Sequence, residues 1–170
     1  NEAGGSVMDN NTKLMNGDNF PVVDGQSKTF TITPIQGYYV ESVTFGGAPI
    51  TLPLTNNQFS TGAITQDAML EVKFTKITYD VTVLRTAGGS VKENSVELAD
   101  NTVLKVDQNA QLTFTILPDA GFEIDTLLFD NASFTLTSNQ YTTSPINGND
   151  TLIVKFKAST KTYNVSLQIG

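Results

Sequence analysis

The side chains that could act on another molecule are few, and nearly all of them offer oxygen. The 170 residues contain no His and no Cys, which removes Ser-His-Asp and Cys-His nucleophile systems and the usual zinc ligand sets. Paired carboxylates remain, one giving a proton and the other taking it. Asp119, Glu123 and Asp125 gather around Gly121. Only Glu123 and Asp125 share a strand face, two residues apart, and alternation turns that face to water. The expectation is a solvated acidic strand, and no enzyme.

Oxygen-rich turns offer a second chemistry. Asp9-Asn10-Asn11, Asp130-Asn131 and Asn147-Gly148-Asn149-Asp150 could in principle face a cation. Calcium takes roughly six to eight oxygens, usually with several carboxylates in one loop. None of the three has Asp-x-Asp-x-Asp-Gly spacing, and Asn, Asp and Gly are what tight turns need for positive φ. They are expected to be turns, and no metal or cofactor is expected.

A third chemistry is the stacking of a sugar on an exposed ring. There is no Trp. Tyr38 with Phe122, Phe59 with Tyr141, and Tyr79 with Tyr163 recur at equivalent places and are expected in cores. Tyr39 alone points outward with a non-aromatic counterpart, Glu123, so it is the single candidate ligand-binding residue.

Those equivalences come from a duplication. Ala3-Gly4-Gly5-Ser6-Val7 returns as Ala87-Gly88-Gly89-Ser90-Val91, and Phe30-Thr31-Ile32-Thr33-Pro34 as Phe114-Thr115-Ile116-Leu117-Pro118, both 84 residues later. Beyond Phe129 the offset falls to 82, so that Leu70-Glu71-Val72-Lys73-Phe74 matches Leu152-Ile153-Val154-Lys155-Phe156. A period of this size marks a tandem array. The apolar pattern alternates with period 2, as in Phe30 and Ile32, Leu70, Val72 and Phe74, or Tyr79, Val81 and Val83. The expected fold is all-β: two small antiparallel β domains, sandwich or β-grasp-like, about six strands each, placed end to end. Their expected limits are 1–78, lacking or sharing its first strand, and 79–160. Val40, Val43 and Phe45, like Ile124, Leu127 and Phe129, break the alternation, which predicts a β-bulge at Ser42 and Thr126. At most a short helical turn is expected, near Thr65–Asp67 or Asn147–Asn149.

Residues 161–170 are ambiguous. Thr162-Tyr163-Asn164-Val165-Ser166-Leu167 copies Thr78-Tyr79-Asp80-Val81-Thr82-Val83. It either closes the second domain, opens a third repeat, or exchanges as a strand (162–169) with a neighbouring chain.

The net charge of −7 argues against nucleic acid or an anionic membrane surface as partner, since both attract clustered Lys and Arg. No run reaches the roughly 20 apolar residues of a membrane span. The first residue is Asn, and the chain reads as an interior or processed piece of a longer exported protein.

Tyr79-Asp80-Val81-Thr82-Val83, Gly88-Gly89-Ser90-Val91, Leu112 through Ile116 with Pro118, Gly121-Phe122 and the ending Leu152-x-Val154-x-Phe156 together resemble the divergent internalin B-repeat domain. The first copy fits from Gly4 to Phe74, so the resemblance covers nearly the whole chain. The Trp-containing ending common after the Gly-aromatic strand is absent. The resemblance implies tandem modules of bacterial secreted or cell-surface proteins, a compact β fold, and adhesion or spacing with no catalytic residues. The expected function is therefore a spacer, stalk or adhesion module outside the cell, facing a protein or glycan partner. The alternative is a carbohydrate-binding module.

Overall fold

The alternating stretches named above become strands in the computed structural model, which describes residues 4–136, 138–160 and 165–168. The chain divides into two compact units, Asn1–Ile77 and Thr78–Gly170. In unit one the strands are β1 Gly5–Asp9, β2 Thr12–Leu14, β3 Thr29–Pro34, β4 Tyr38–Phe45, β5 Ala48–Pro49, β6 Gln58–Ser60 and β7 Leu70–Lys76. They form one sheet of order β2-β1-β3-β6 and a second of order β5-β4-β7. Phe30 and Ile32 from the first sheet and Val43 from the second are buried together, with Val7, Val40, Val72 and Phe74 packed around them. This is a sandwich, two sheets closing on one apolar layer.

Unit two contains β8 Thr78–Arg85, β9 Gly89–Glu93, β10 Val96–Glu97, β11 Thr102–Asp107, β12 Thr113–Pro118, β13 Phe122–Phe129, β14 Ala132–Ser133, β15 Gln140–Thr142 and β16 Asp150–Ala158. Its sheets have the orders β10-β9-β12-β15 and β11-β8-β16-β13-β14. The first repeats the pairing of β2-β1-β3-β6. The second repeats β5-β4-β7 and adds β8 and β11. Its core is larger, with Val81, Val83, Phe114, Ile116, Leu152 and Val154 fully buried.

Four expectations need correcting. Among the described residues the units have seven and nine strands, not about six. Pairing is not wholly antiparallel, because β16 runs parallel to β8. A parallel pair needs a long connection, and the rest of unit two separates these two strands. The register shifts lie between Val40 and Ser42 and between Ile124 and Thr126. The extra residues are therefore Glu41 and Asp125, one position before the predicted Ser42 and Thr126. Finally, the short helical turn falls at Thr55–Asn57, where Asn56 and Asn57 take positive φ. Of the final segment, Val165–Gln168 is exposed and outside any strand, while 161–164 and 169–170 lie outside the described residues.

The duplicated Gly-Gly motif has a steric cause. A Cβ added to Gly5 would lie 2.3 Å from the Phe74 ring, and one on Gly89 would lie 2.4 Å from the Phe156 ring. On Gly4 it would meet Tyr38 at 2.6 Å, and on Gly88 it would meet Phe122 at 2.3 Å. Two aromatic side chains from the second sheet thus lie directly on the bare backbone that opens the first. Gly37 and Gly121 act differently. They take φ of +83° and +84° with open space around them, as the β3–β4 and β12–β13 reversals require.

Gly89→Ala is expected to destabilise by about 1–3 kcal/mol, since the added methyl must push Phe156 out of its seat. Gly148→Ala, with nothing within 4 Å of the new atom, serves as control. Equal melting temperatures for the two variants would contradict the glycine–ring contact.

Candidate functional site

The predicted carboxylates sit on β4 and β13 against lysines of the neighbouring strand. Glu123 and Asp125 flank Lys157 at 3.6 and 3.3 Å. In unit one Glu41 meets Lys73 at 2.9 Å and accepts a hydrogen bond from the Thr75 hydroxyl. The Thr126 hydroxyl and then Lys157 hold the Asp125 carboxyl below its ordinary range, and Thr75 and then Lys73 do the same for Glu41. Each bulge therefore aims one ionised carboxylate along a lysine row. Two opposed carboxylates, one holding a proton, are not what these strands assemble. Asp119 serves the Gly121 turn through its backbone, donating N–H to Gly88 and accepting from Phe122.

Of the three oxygen-rich stretches expected to be turns, two are turns, while Asn147–Asn149 makes only a bend at Gly148 with no positive φ. Asn10 tops the β1–β2 hairpin at φ +53°, and Asp130 and Asn131 turn β13 into β14 at +47° and +61°. Gly46 and Gly47 make the equivalent turn in unit one at +55° and +81°, so the backbone demand is common and the oxygens are not. Asn149 accepts the Asp80 backbone N–H through Oδ1 at 2.9 Å. Among the described residues no group of three Asp, Glu, His or Cys side chains could hold a metal ion.

Tyr39 is 47 % exposed on β4, directly opposite Thr75. Of the rings expected in cores, Phe59 packs on Phe45 at 5.6 Å, and Tyr141 stacks on Phe134 at 3.8 Å. Tyr79 is half-buried against the unit-two core. Phe122 departs from expectation at 41 % exposed, because one face lies on Gly88 and the rest meets solvent. Tyr163 lies outside the described residues. Two shallow depressions, of about 450 and 460 Å³, occupy the same place in each unit, the first between Glu93 and Lys105, the second between Asp9 and Pro21. They belong to the shared frame.

The largest difference between the units is a sheet edge. In unit two β16 lies between β13 and β8, whereas among the described residues β7 pairs only with β4. The consequence appears in burial. Leu152, Val154 and Phe156 are 0, 0 and 8 % exposed, yet their counterparts Leu70, Val72 and Phe74 are only half-buried. The same residues in the same register lose cover when the flanking strand is missing.

Among the described residues the strand β11 has no counterpart strand in unit one. The 84-residue offset lays Thr102–Asp107 on 18–23, a segment without strand structure in which Phe20 packs on Phe30 at 6.4 Å. The offset carried this signal, since Phe20 and Val22 fall on Leu104 and Val106. It was missed because Pro21 replaces Lys105 and breaks the visual match.

No protein-family model, no curated protein and no solved structure matches the chain. Geometry and residue chemistry carry the functional reading.

One electrostatic feature is private to unit two. Burial, and then the charge of Asp130, push the Asp150 carboxyl above its ordinary range. Burial, and then Asp150, also raise the Tyr141 hydroxyl. The equivalent residues of unit one, Ala68 and Phe59, cannot ionise. A raised carboxyl favours the fold below the unfolded-state value, near pH 4, and that contribution disappears as pH rises through the folded-state value. Asp150→Asn is therefore expected to raise the unfolding free energy at pH 7, by no more than about 1 kcal/mol given solvent screening, and to leave it unchanged near pH 3. Destabilisation at pH 7 would contradict the assignment.

Proposed function

We propose that this chain is a non-catalytic tandem repeat segment of a bacterial secreted or cell-surface protein, in which the β units act as spacer or stalk, or as an adhesion module. The observation that carries the reading is that the two units share their frame bond by bond. Gly25 N–H donates to Ile64 C=O as Asn109 donates to Ile146, and Ile35 N–H donates to Gly4 C=O as Asp119 donates to Gly88. Thr61 and Thr143 turn inward and accept from Lys28 and Leu112 with the same geometry. What repeats so closely is architecture. What differs is loop chemistry without convergent polar groups, and one sheet edge. A module copied for its shape, with its variation confined to surfaces, fits a part that sets distance and presents side faces.

The resemblance to the divergent internalin B-repeat domain belongs to the same proposal, with a protein or glycan at the cell surface as partner. Among the described residues no helix is long and apolar enough to cross a membrane. Tyr39 is the observation that favours the alternative, a carbohydrate-binding module, since a half-exposed ring on a strand is a serviceable sugar platform.

Small-angle scattering and a glycan array separate the two. The spacer reading predicts an elongated particle and no glycan signal. A saturable glycan that is lost on Tyr39→Ala would overturn it in favour of the alternative.

A further inference from the structure

We propose that Asn147 is a modification site at which the chain alters itself: the Gly148 backbone nitrogen closes on the Asn147 side chain, and the amide is converted to isoaspartate and aspartate. The inference goes beyond the spacer reading and does not depend on it.

The chain contains two Asn-Gly pairs, Asn16-Gly17 and Asn147-Gly148. Such a pair can cyclise because glycine has no side chain to shield its nitrogen or to oppose the rotation that brings it round. In the first step the nitrogen gives up its proton and bonds to the Asn Cγ, the Cγ–Nδ2 bond breaks, and ammonia leaves with that proton. Water then opens the cyclic imide at one of its two carbonyls. Opening at the main-chain carbonyl leaves the chain running through Cγ, as isoaspartate, and opening at Cγ leaves aspartate. Either way an amide is exchanged for a carboxylate, with no oxidant or reductant.

The two pairs differ in how the fold holds them. Asn16-Gly17 sits in a closed turn: Asp18 N–H donates to Met15 C=O at 3.0 Å, Met15 N–H donates to the Asp18 carboxylate at 2.8 Å, and Gly17 takes φ of +89°. Swinging the Gly17 nitrogen onto Asn16 breaks that turn. Asn147-Gly148 carries the same turn signal but makes only a bend, with no turn hydrogen bond and no positive φ. Asn147 is exposed. Its Nδ2 donates to Pro145 C=O at 3.2 Å, a surface bond that water can replace. A Cβ on Gly148 would meet nothing within 4 Å, so the space around the bend is open.

The place of the bend gives the modification its effect. Ile146 is fully buried and tied at both backbone groups, donating to Ala110 C=O and accepting from Asn109 N–H. On the other side Asn149 accepts the Asp80 N–H through Oδ1, and Asp150 opens the parallel pairing with Val81. Isoaspartate inserts one extra carbon into the main chain between these anchors. Ile146 is the firmer of the two, so the shift falls on Asn149 and on the entry of β16 beside β8. In unit one Ile64 is followed by Thr65-Gln66, which has no Asn amide to cyclise, so the site is private to unit two.

The full chain, held warm at mildly alkaline pH and sampled over time, tests this by peptide mapping, with enzymatic methylation of isoaspartyl carboxyls as the probe. Modification at Asn147 is expected roughly tenfold faster than at Asn16, the margin that the hydrogen bonds of a surface turn provide. In denaturant both sites should react at similar rates. Asn147→Gln should remove the faster product, and Gly148→Ala should slow its formation. The isoaspartate form should lose exchange protection at the Asp80 amide, whereas Asn147→Asp, with the same charge and an unaltered main chain, should keep it. No product at Asn147, a rate at Asn16 equal to or above it, or a difference that persists in denaturant would each overturn the inference. An Asp80 amide that stays protected in the isoaspartate form would overturn the strand shift.

Discussion

Each unit hangs on the contact between a side-chain-free backbone and an aromatic ring. Gly5 and Gly89 leave no room for a methyl beneath Phe74 and Phe156. That closeness fixes how the two sheets of a unit approach each other. The ring comes from the last strand and the glycine from the strand that opens the facing sheet, so the contact ties the end of each unit to its beginning. Neighbouring Gly4 and Gly88 repeat the arrangement under Tyr38 and Phe122. With no disulfide in the chain, and domains small enough to be stable by a narrow margin, such a contact between distant strands adds to the apolar burial that must offset the entropy lost on folding.

Given that clasp, the rest of each core follows from strand alternation. Phe30 and Ile32 face inward from β3 as Phe114 and Ile116 do from β12, and the four are at most 3 % exposed. The bulges at Glu41 and Asp125 let Val40 and Val43, or Ile124 and Leu127, lie on one face while sending a carboxylate outward. What the clasp does not supply is cover for the outer edge of the final strand. In unit two β8 and β11 provide it, and the number of fully buried side chains grows accordingly. In unit one the described residues leave β7 uncovered, and Phe20, the counterpart of Leu104 in β11, packs on Phe30.

The strands and their inward faces were readable because period-2 alternation reports burial directly. The glycine motif could be seen but not explained from sequence, because its meaning depends on rings far along the chain, Tyr38 and Phe74 in one unit and Phe122 and Phe156 in the other. The parallel pairing of β8 with β16 was hidden for a related reason. Alternation says which face is buried and is silent about the direction of the neighbouring strand. β11 escaped notice because Pro21 stands where Lys105 does and breaks the alternation of Phe20 and Val22 that the offset lays on Leu104 and Val106. Asn and Asp at 10, 130 and 131 stand at positions of positive φ, where their oxygens are incidental, but Asn147-Gly148, the strongest tight-turn signal in the sequence, makes only a bend with no positive φ. Phe122 was assigned to a core by its pairing with Tyr38, yet both rings lie on glycines at the margin of the sandwich.

The central claim is that β7 and β16 are the same strand in the same frame, one with an open edge and one with a filled edge. Amide hydrogen exchange, read residue by residue in dilute solution, tests this most directly. Phe156 N–H donates to Thr86 Oγ1 at 2.8 Å, while Phe74 holds the equivalent register position with no strand beside it among the described residues. The expected result is slow exchange at Phe156 and fast exchange at Phe74, with slow exchange in both units for the amides that β7 and β16 direct toward β4 and β13. Equal protection of Phe74 and Phe156 would contradict it.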